Sequence, residues 1–154
     1  MKKLSFLILI LSIVSTISIS TFAQEGKVVQ KPADQTSIAP AHRILFQMTS
    51  GDTMAYKQLM KQLNNIVTVA PGTKVEVVSH GPGLDMLITE KSIVADKIKK
   101  LSKEGVVFNA CEFSMSERKV EKSQMIPETS YVPYAILHIA TRQEQGWSYI
   151  KAGF

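Results

Sequence analysis

The chain alternates short runs of almost continuously apolar residues with segments whose apolar residues repeat at helical spacing. Strands are predicted at residues 43–48, 74–79, 106–110, 131–132 and 147–150. Helical segments are predicted between them, at residues 53–70, 84–87, 93–104 (capped by Ser92), 112–120 and 134–143. Apolar strands separated by helices are typical of a parallel sheet that is covered on both faces. The pattern therefore predicts a three-layer α/β/α domain.

Composition narrows the class of protein further. The chain has 154 residues, the size of one ordinary domain, and its 45% hydrophobic and 20% charged residues indicate a globular fold. One cysteine excludes an intrachain disulfide and any cysteine-based zinc or iron–sulfur site. The histidines, His42, His80 and His138, are dispersed without carboxylates at ligand spacing, so we predict no metal site and no cofactor. His42 and His138 are interpreted as structural.

The net charge is weakly basic. The chain has 18 Lys and Arg against 13 Asp and Glu, a formal charge of +5 that falls to 16 − 13 = +3 without Lys2 and Lys3. The remaining lysines are scattered, and no basic stripe with interleaved aromatic residues is present. We therefore predict that the protein does not bind nucleic acid.

The N-terminus has the pattern of an export signal. Two lysines precede a mostly apolar run at residues 6–14, which thins into serines and threonines. Thr21 and Ala23 place small residues at the −3 and −1 positions, so we predict a signal peptide over residues 1–23 that is cleaved after Ala23. The mature protein would then be periplasmic, with no stable membrane span. The competing interpretation is an uncleaved membrane helix over residues 6–22.

Residues 24–41 separate this signal from the domain. They are polar, include Pro32 and Pro40, and show no apolar periodicity, which predicts a flexible lead-in. The remaining residues, 42–154, are predicted to form a single domain.

Candidate functional residues follow three of the predicted strands. In parallel α/β sheets the ligand crevice lies at the carboxyl ends of the strands. There the sequence has Asp52, then His80 and Gly81, then Cys111 and Glu112. Asp52 has the alternative role of a helix N-cap, and Gly81 of permitting a tight turn, because the Gly-Pro-Gly sequence lacks the spacing of a phosphate-binding loop.

Cys111 is the most informative of these residues. A cysteine between a strand and a helix lies near backbone N–H groups and the positive end of the helix dipole, which favour the nucleophilic thiolate. Glu112 opposes this if its carboxylate points at the sulfur. An unpaired thiol in an exported protein indicates a reactive or intermolecular role. The alternative is that Cys111 packs as a small hydrophobic residue.

The wall of the predicted pocket has candidate residues on two loops. His80 is suited to act as a base or a hydrogen-bond donor beside Cys111, and the alternative is that it caps its own loop. Pro133 follows the fourth predicted strand, where packing is an equally good explanation. Tyr134 comes next, and its aromatic ring is expected to narrow the pocket.

Four segments in order resemble the DsrE-like proteins, the sulfur-relay group that includes the DsrE/DsrF and TusD/TusC subunits. The segments are residues 46–52, 77–84, 108–111 and 145–151. The resemblance implies a DsrEFH-like fold with a five-stranded, mainly parallel sheet and assembly as homo-trimers or homo-hexamers. It also implies that Cys111 corresponds to the cysteine that carries persulfide sulfur in the relay members. Many single-domain relatives have no established activity.

Three functions follow as hypotheses. The first is a sulfur carrier, or sulfurtransferase, in which Cys111 accepts sulfane sulfur from a donor and passes it to an acceptor protein. The second is a non-catalytic, oligomeric protein that binds a small ligand, with Cys111 structural. The third is a hydrolase that uses Cys111 and His80, which requires the two side chains to lie within hydrogen-bond reach.

Overall fold

The computed structural model describes residues 41–153. The predicted signal peptide and nearly all of the predicted lead-in lie outside the described residues. Residues 41–153 form five strands: β1 (Arg43–Met48), β2 (Lys74–Ser79), β3 (Val107–Cys111), β4 (Thr129–Val132) and β5 (Ser148–Ala152). Four α-helices connect them: α1 (Thr53–Val69), α2 (Ala95–Lys103), α3 (Glu112–Glu117) and α4 (Ala135–Glu144). Two 3₁₀ helices span Gly81–Leu87 and Lys122–Gln124.

The strands form one parallel sheet in the order β4-β3-β2-β1-β5. The chain steps from β1 to β4 in one direction and then returns through α4 to the far side of β1. Because such crossovers are right-handed, the reversal of direction puts α4 on the face of the sheet opposite to α1 and α2. The predicted α/β/α fold with a five-stranded parallel sheet is thus confirmed.

The two faces of the sheet are covered unequally. On the face that we call the two-helix face, Phe46, Val77 and Phe108 lie in register and pack in one core with residues of α1 and α2. On the opposite, one-helix face, Leu45 and Val78 belong to a smaller cluster that includes Cys111 and residues of α4. Of the described helices, only α4 contributes residues to this cluster, and it packs against β1, β2 and β5.

The boundaries of most elements agree with the sequence, but the start of α2 differs. Ser92 does not cap this helix, which begins at Ala95 after Val94 and has no side-chain cap. The N–H of Ser92 donates to the carbonyl of Ile88, so this residue belongs to the preceding turn, and its hydroxyl accepts from the N–H of Val94 at 3.4 Å. Of the described helices, none is both long and apolar enough to cross a membrane.

Gly83 brings the loop after β2 against the end of β1. Its N–H donates to the carbonyls of Thr49 and His80, each at 3.1 Å. A Cβ at this position would collide with the carbonyl of Met48, so only glycine allows the two backbones to approach this closely. The loop that carries His80 is thereby fixed at the carboxyl edge of the sheet.

Candidate functional site

A cleft of about 320 Å³ opens at the carboxyl ends of β2 and β3, between α3 and the start of α4. It lies at the edge of the sheet where the sequence predicts a crevice. The cleft is lined by His80, Cys111, Phe113, Ser114, Glu117, Tyr134, Ala135 and Ile136. The structure therefore brings Cys111 and His80 into one cavity.

Cys111 forms the buried wall of this cleft. It is the last residue of β3 and the N-cap of α3, and only 2% of it is exposed. Its Sγ accepts a hydrogen bond from the backbone N–H of Ala135, with a nitrogen–sulfur distance of 3.3 Å. Ala135 is the first residue of α4, so this N–H has no partner within its own helix. The start of α4 therefore supplies a backbone hydrogen-bond donor to the sulfur.

His80 lies beside Cys111 because β2 and β3 run in register. Ser79 pairs with Ala110, so the next residues, His80 and Cys111, follow on neighbouring strands. The His80 ring nitrogen Nε2 is 2.8 Å from the side-chain amide nitrogen of Gln47, which donates to it. Gln47 in turn accepts a hydrogen bond from the hydroxyl of Tyr149. An accepting Nε2 leaves the ring proton of neutral His80 on Nδ1.

The protonation of His80 limits what it can do. Burial lowers the pKa of His80 below the ordinary value of 6.5, so the ring is neutral at pH 7. Among the described residues, no hydrogen bond joins the ring to Cys111 Sγ, and Nε2 is already engaged by Gln47. These contacts do not form the nucleophile–base pair that a Cys111/His80 hydrolase requires.

The loop behind His80 is held by α3. The N–H of Gly81, which has a φ of 53°, donates to the hydroxyl of Ser114 at 3.1 Å. The guanidinium of Arg118 donates to the Gly81 carbonyl at 2.8 Å and to Asp85 at 2.6 Å. Gly81 therefore positions His80 from behind and does not itself line the cleft.

The mouth of the cleft is apolar. The rings of Phe113 and Tyr134 meet edge to face, with their centroids 5.1 Å apart and their planes at 77°. Phe113 is 49% exposed, Tyr134 40% and Ile136 49%. These three large apolar side chains give one side of the cleft an apolar lining that is partly exposed to solvent.

Besides Gly81, three other residues predicted for the pocket lie outside the cleft. Asp52 caps α1, accepting from the N–H of Met54 at 2.8 Å. The side chain of Glu112 is partly exposed and pairs with Lys122 at 2.7 Å. The carbonyl of Pro133 accepts from the N–H of Phe113, which ties the β4–α4 turn to α3. Each has a structural contact of its own, and none of the three lines the cleft.

The sequence did not indicate several residues that do form the site. They are Gln47, Phe113, Ser114, Glu117 and Ile136. A signal was present for most of them. Gln47 is a polar residue within an apolar strand, and the residues of α3 follow Cys111 directly on a predicted helix. Ile136 had no such signal, because its place depends on where α4 docks.

A second polar cluster lies on the same face, further from the carboxyl edge. Glu76 is 6% exposed, and its carboxylate lies 2.8 Å from His138 Nε2 and 2.6 Å from the Arg142 guanidinium. Burial acts to raise the pKa of Glu76, but the hydrogen bonds from His138 and Arg142 outweigh it and hold the pKa below its ordinary value. His138 is thus a partner of Glu76. Within residues 41–153, no three side chains of His, Cys, Asp or Glu cluster closely enough to hold a metal ion.

A family model matches this architecture over almost the whole described domain. The match, to the DsrE/DsrF-like family, covers residues 42–152. The chain belongs to the DsrE/DsrF-like family. Within this family member, Cys111, His80 and the start of α4 meet at one cleft.

Two solved structures resemble this DsrE/DsrF-like chain in fold. A protein of unknown function from Methanobacterium thermoautotrophicum has 24% identity and a TM-score of 0.68, over 71% of this chain and 98% of its own. A conserved protein of unknown function from Bacteroides thetaiotaomicron has 11% identity and a TM-score of 0.59, over 73% of this chain and 98% of its own. None of the curated proteins compared with the chain matches it.

Proposed function

We propose that the protein is a sulfur carrier in which Cys111 holds sulfane sulfur as a persulfide. Membership of the DsrE/DsrF-like family suggests a role related to sulfur relay. The observation that carries the proposal is the hydrogen bond from the Ala135 N–H to Cys111 Sγ within the cleft. It supplies a donor to a sulfur that is negatively charged both as a thiolate and as a persulfide.

The transfer needs one nucleophilic sulfur. The Cys111 thiolate attacks the terminal sulfur of a polysulfide or persulfide donor, and a new S–S bond forms at Cys111. The S–S bond of the donor breaks, and the departing sulfide or thiolate keeps the electron pair. The thiol proton of Cys111 passes to solvent or to that leaving group. In the second step an acceptor thiolate attacks the outer sulfur, and Cys111 leaves as a thiolate, so the exchange needs no external oxidant, no second cysteine and no cofactor.

The surroundings of Cys111 suit this chemistry. Phe113, Tyr134 and Ile136 shield the buried sulfur from water, which protects a persulfide between the two steps. A cleft of about 320 Å³ has room for a short polysulfide or a small persulfide. His80 is neutral and presents no charge that would hold the anion too tightly to be released.

Thiocyanate formation tests the proposal. We expect protein loaded with polysulfide and freed of excess reagent to convert added cyanide to thiocyanate in about one equivalent per chain. Cys111→Ser should yield none. Thiocyanate from the variant at the level of the wild type would show that the sulfur is held elsewhere and contradict the proposal.

A second candidate is a small-ligand-binding protein in which Cys111 is structural. The observation that favours it is the packing of Cys111, which is 2% exposed among Leu45, Val78, Val132 and Ile139. Reaction with iodoacetamide in the folded state discriminates between the two functions. Alkylation that proceeds only when the protein unfolds supports the structural role.

We further propose that the protein assembles as a homo-oligomer, a trimer or a hexamer. Support comes from large apolar side chains that are exposed beside the cleft, among them Leu137, which is 65% exposed, together with Phe113 and Ile136. Sedimentation should detect the oligomer, and a monomer at micromolar concentration would contradict it. A sulfur donor or acceptor protein would then meet the surface left open.

Export to the periplasm is also a proposal, resting on the sequence pattern of residues 1–23. The intact mass of the protein from producing cells is expected to correspond to a chain that begins at Gln24. A mass that retains residues 1–23 in a membrane fraction would instead support the uncleaved helix.

A further inference from the structure

A groove of about 490 Å³ runs between α1 and α2, on the other side of the sheet from the Cys111 cleft. Its rims carry four lysines at helical spacing, Lys57 and Lys61 from α1 and Lys97 and Lys100 from α2. Asn64, one turn further along α1, completes the polar lining. All five are exposed residues in two stripes that face each other.

The groove has a strong excess of positive charge. No acidic residue lines it, and within the described residues Lys57, Lys61 and Lys97 have no carboxylate within 4.0 Å. Lys100 has one weak partner, Glu104, at 3.8 Å in an exposed pair, and it also donates to Asn64 at 3.4 Å. Like charges so close together repel one another, and an anionic ligand would relieve that repulsion.

Between the two rims the lining is apolar. Met60 and Leu101 form the floor and are almost fully buried, at 1% and 2% exposure. The methylene stems of the four lysines cover the walls while their ammonium groups reach solvent. The groove thus combines an apolar centre with cationic edges. A simple inorganic anion would pair with the edges but would leave the apolar centre uncovered.

We propose that this groove binds a small organic molecule with an apolar body and at least two anionic groups. From Lys57 to Asn64 the helix advances about 10 Å, which sets the length of ligand that the groove accommodates. Its volume lies within the range of small-molecule sites, about 300–1,000 Å³. The site is independent of Cys111, and a ligand bound here leaves the sulfur chemistry unchanged.

Decanedioate tests this site, because it has two carboxylates at the ends of an apolar chain. The amide NMR shifts of the protein, as isolated from producing cells, measure the binding. We expect saturable shifts at Met60, Asn64 and Leu101. Decanoate, with one carboxylate, should bind about threefold more weakly, and decane-1,10-diol should not bind.

Two double variants with the same change in net charge test whether the lysines of the groove bind the ligand. Lys61→Gln/Lys97→Gln should weaken decanedioate binding about tenfold. Lys99→Gln/Lys103→Gln changes the net charge equally at exposed positions outside the groove and should stay within about twofold of the wild type. In the unmodified protein, decanedioate should also slow acetylation of Lys61 and Lys97 but not of Lys99, a measurement that needs no variant.

Several results would overturn the proposal. An absence of saturable shifts would show that there is no site. Equal weakening by both double variants would attribute the effect to net charge. Binding of the diol as tight as that of decanedioate would remove the role of the lysines, and equally tight binding of tripolyphosphate would remove the role of the apolar centre.

Discussion

The two faces of the sheet are covered unequally: the two-helix face contains most of the hydrophobic core, and the one-helix face contains the candidate site. Among the described residues, 23 buried residues form the core cluster on the two-helix face, whereas 6 form the cluster on the one-helix face. The thinner layer contains Cys111, His80 and the buried Glu76. A face that one short helix covers leaves backbone donors and polar side chains available, and there the candidate site is built.

The largest expected effect is the cost of a cavity on the two-helix face. Ile98→Ala removes a fully buried side chain from α2 and should lower the free energy of unfolding by about 4 kcal/mol. Ile139→Ala removes the same atoms from α4 on the one-helix face, where the side chain is 8% exposed, and should cost about 2 kcal/mol. Urea unfolding of both variants measures the difference. Equal costs would contradict the unequal division of stability.

Glu76→Gln is expected to have the next largest effect. The substitution removes the carboxylate that faces His138 and Arg142, and it should cost about 2 kcal/mol at pH 7 because these partners are only partly buried. The pKa of Glu76 is lowered in the folded state, so the difference is full above pH 4.5 and shrinks as the pH falls through the lowered value.

The control is the exposed Glu144→Gln at the end of α4, the helix that carries His138 and Arg142, and it should change stability by less than about 0.5 kcal/mol. Alkylation of Cys111 should proceed at the wild-type rate in both variants. A slower rate in Glu76→Gln would show that the two parts of the one-helix face are coupled.

Opening the mouth of the cleft should change reactivity more than stability. Phe113→Ala removes one ring of an edge-to-face pair and should cost about 1 kcal/mol. If the ring shields Cys111, the variant should react several-fold faster with a bulky maleimide. The rate of reaction with the smaller iodoacetamide should increase less. Ile93→Ala, at a 52% exposed position outside the cleft, is the matched control. If both variants react at the wild-type rate, Phe113 does not control access.

The smallest effect is the response of His80 to acid. The folded-state pKa of His80 is lowered, so the unfolded chain takes up the proton first and stability falls as the pH drops below 6.5. In His80→Gln this loss should be absent between pH 6.5 and the lowered pKa, which unfolding at a series of pH values measures. The same slope in wild type and variant would contradict a half-buried His80 that is neutral at pH 7.

The fold was largely predictable because strand and helix periods are local properties. The runs that became β1 and β2 have the predicted bounds, and Asp52 caps α1, the second role that its position suggested. Where two neighbouring turns compete for the same residue, the sequence was less informative. Serine commonly caps helices, but the N–H of Ser92 donates to the carbonyl of Ile88 within the preceding turn. Helix α2 therefore begins later, at Ala95.

The candidate site was predictable only in part. Topology indicates that Cys111 and His80 follow neighbouring strands, because parallel strands end at one edge. The hydrogen bond from Ala135 depends on how α4 crosses the sheet, and the one from Gln47 depends on a side-chain rotamer. Neither leaves a local pattern. Glu112 was close to Cys111 in sequence, but it pairs with Lys122 and does not line the cleft.

The most direct test of the central proposal is the intact mass of the protein after incubation with polysulfide, before and after reductant, beside Cys111→Ser. The account predicts that the wild type gains the mass of one or more sulfur atoms, that reductant removes the gain, and that the variant shows none. A wild type without an adduct at any pH would contradict the carrier role and leave Cys111 as a packing residue.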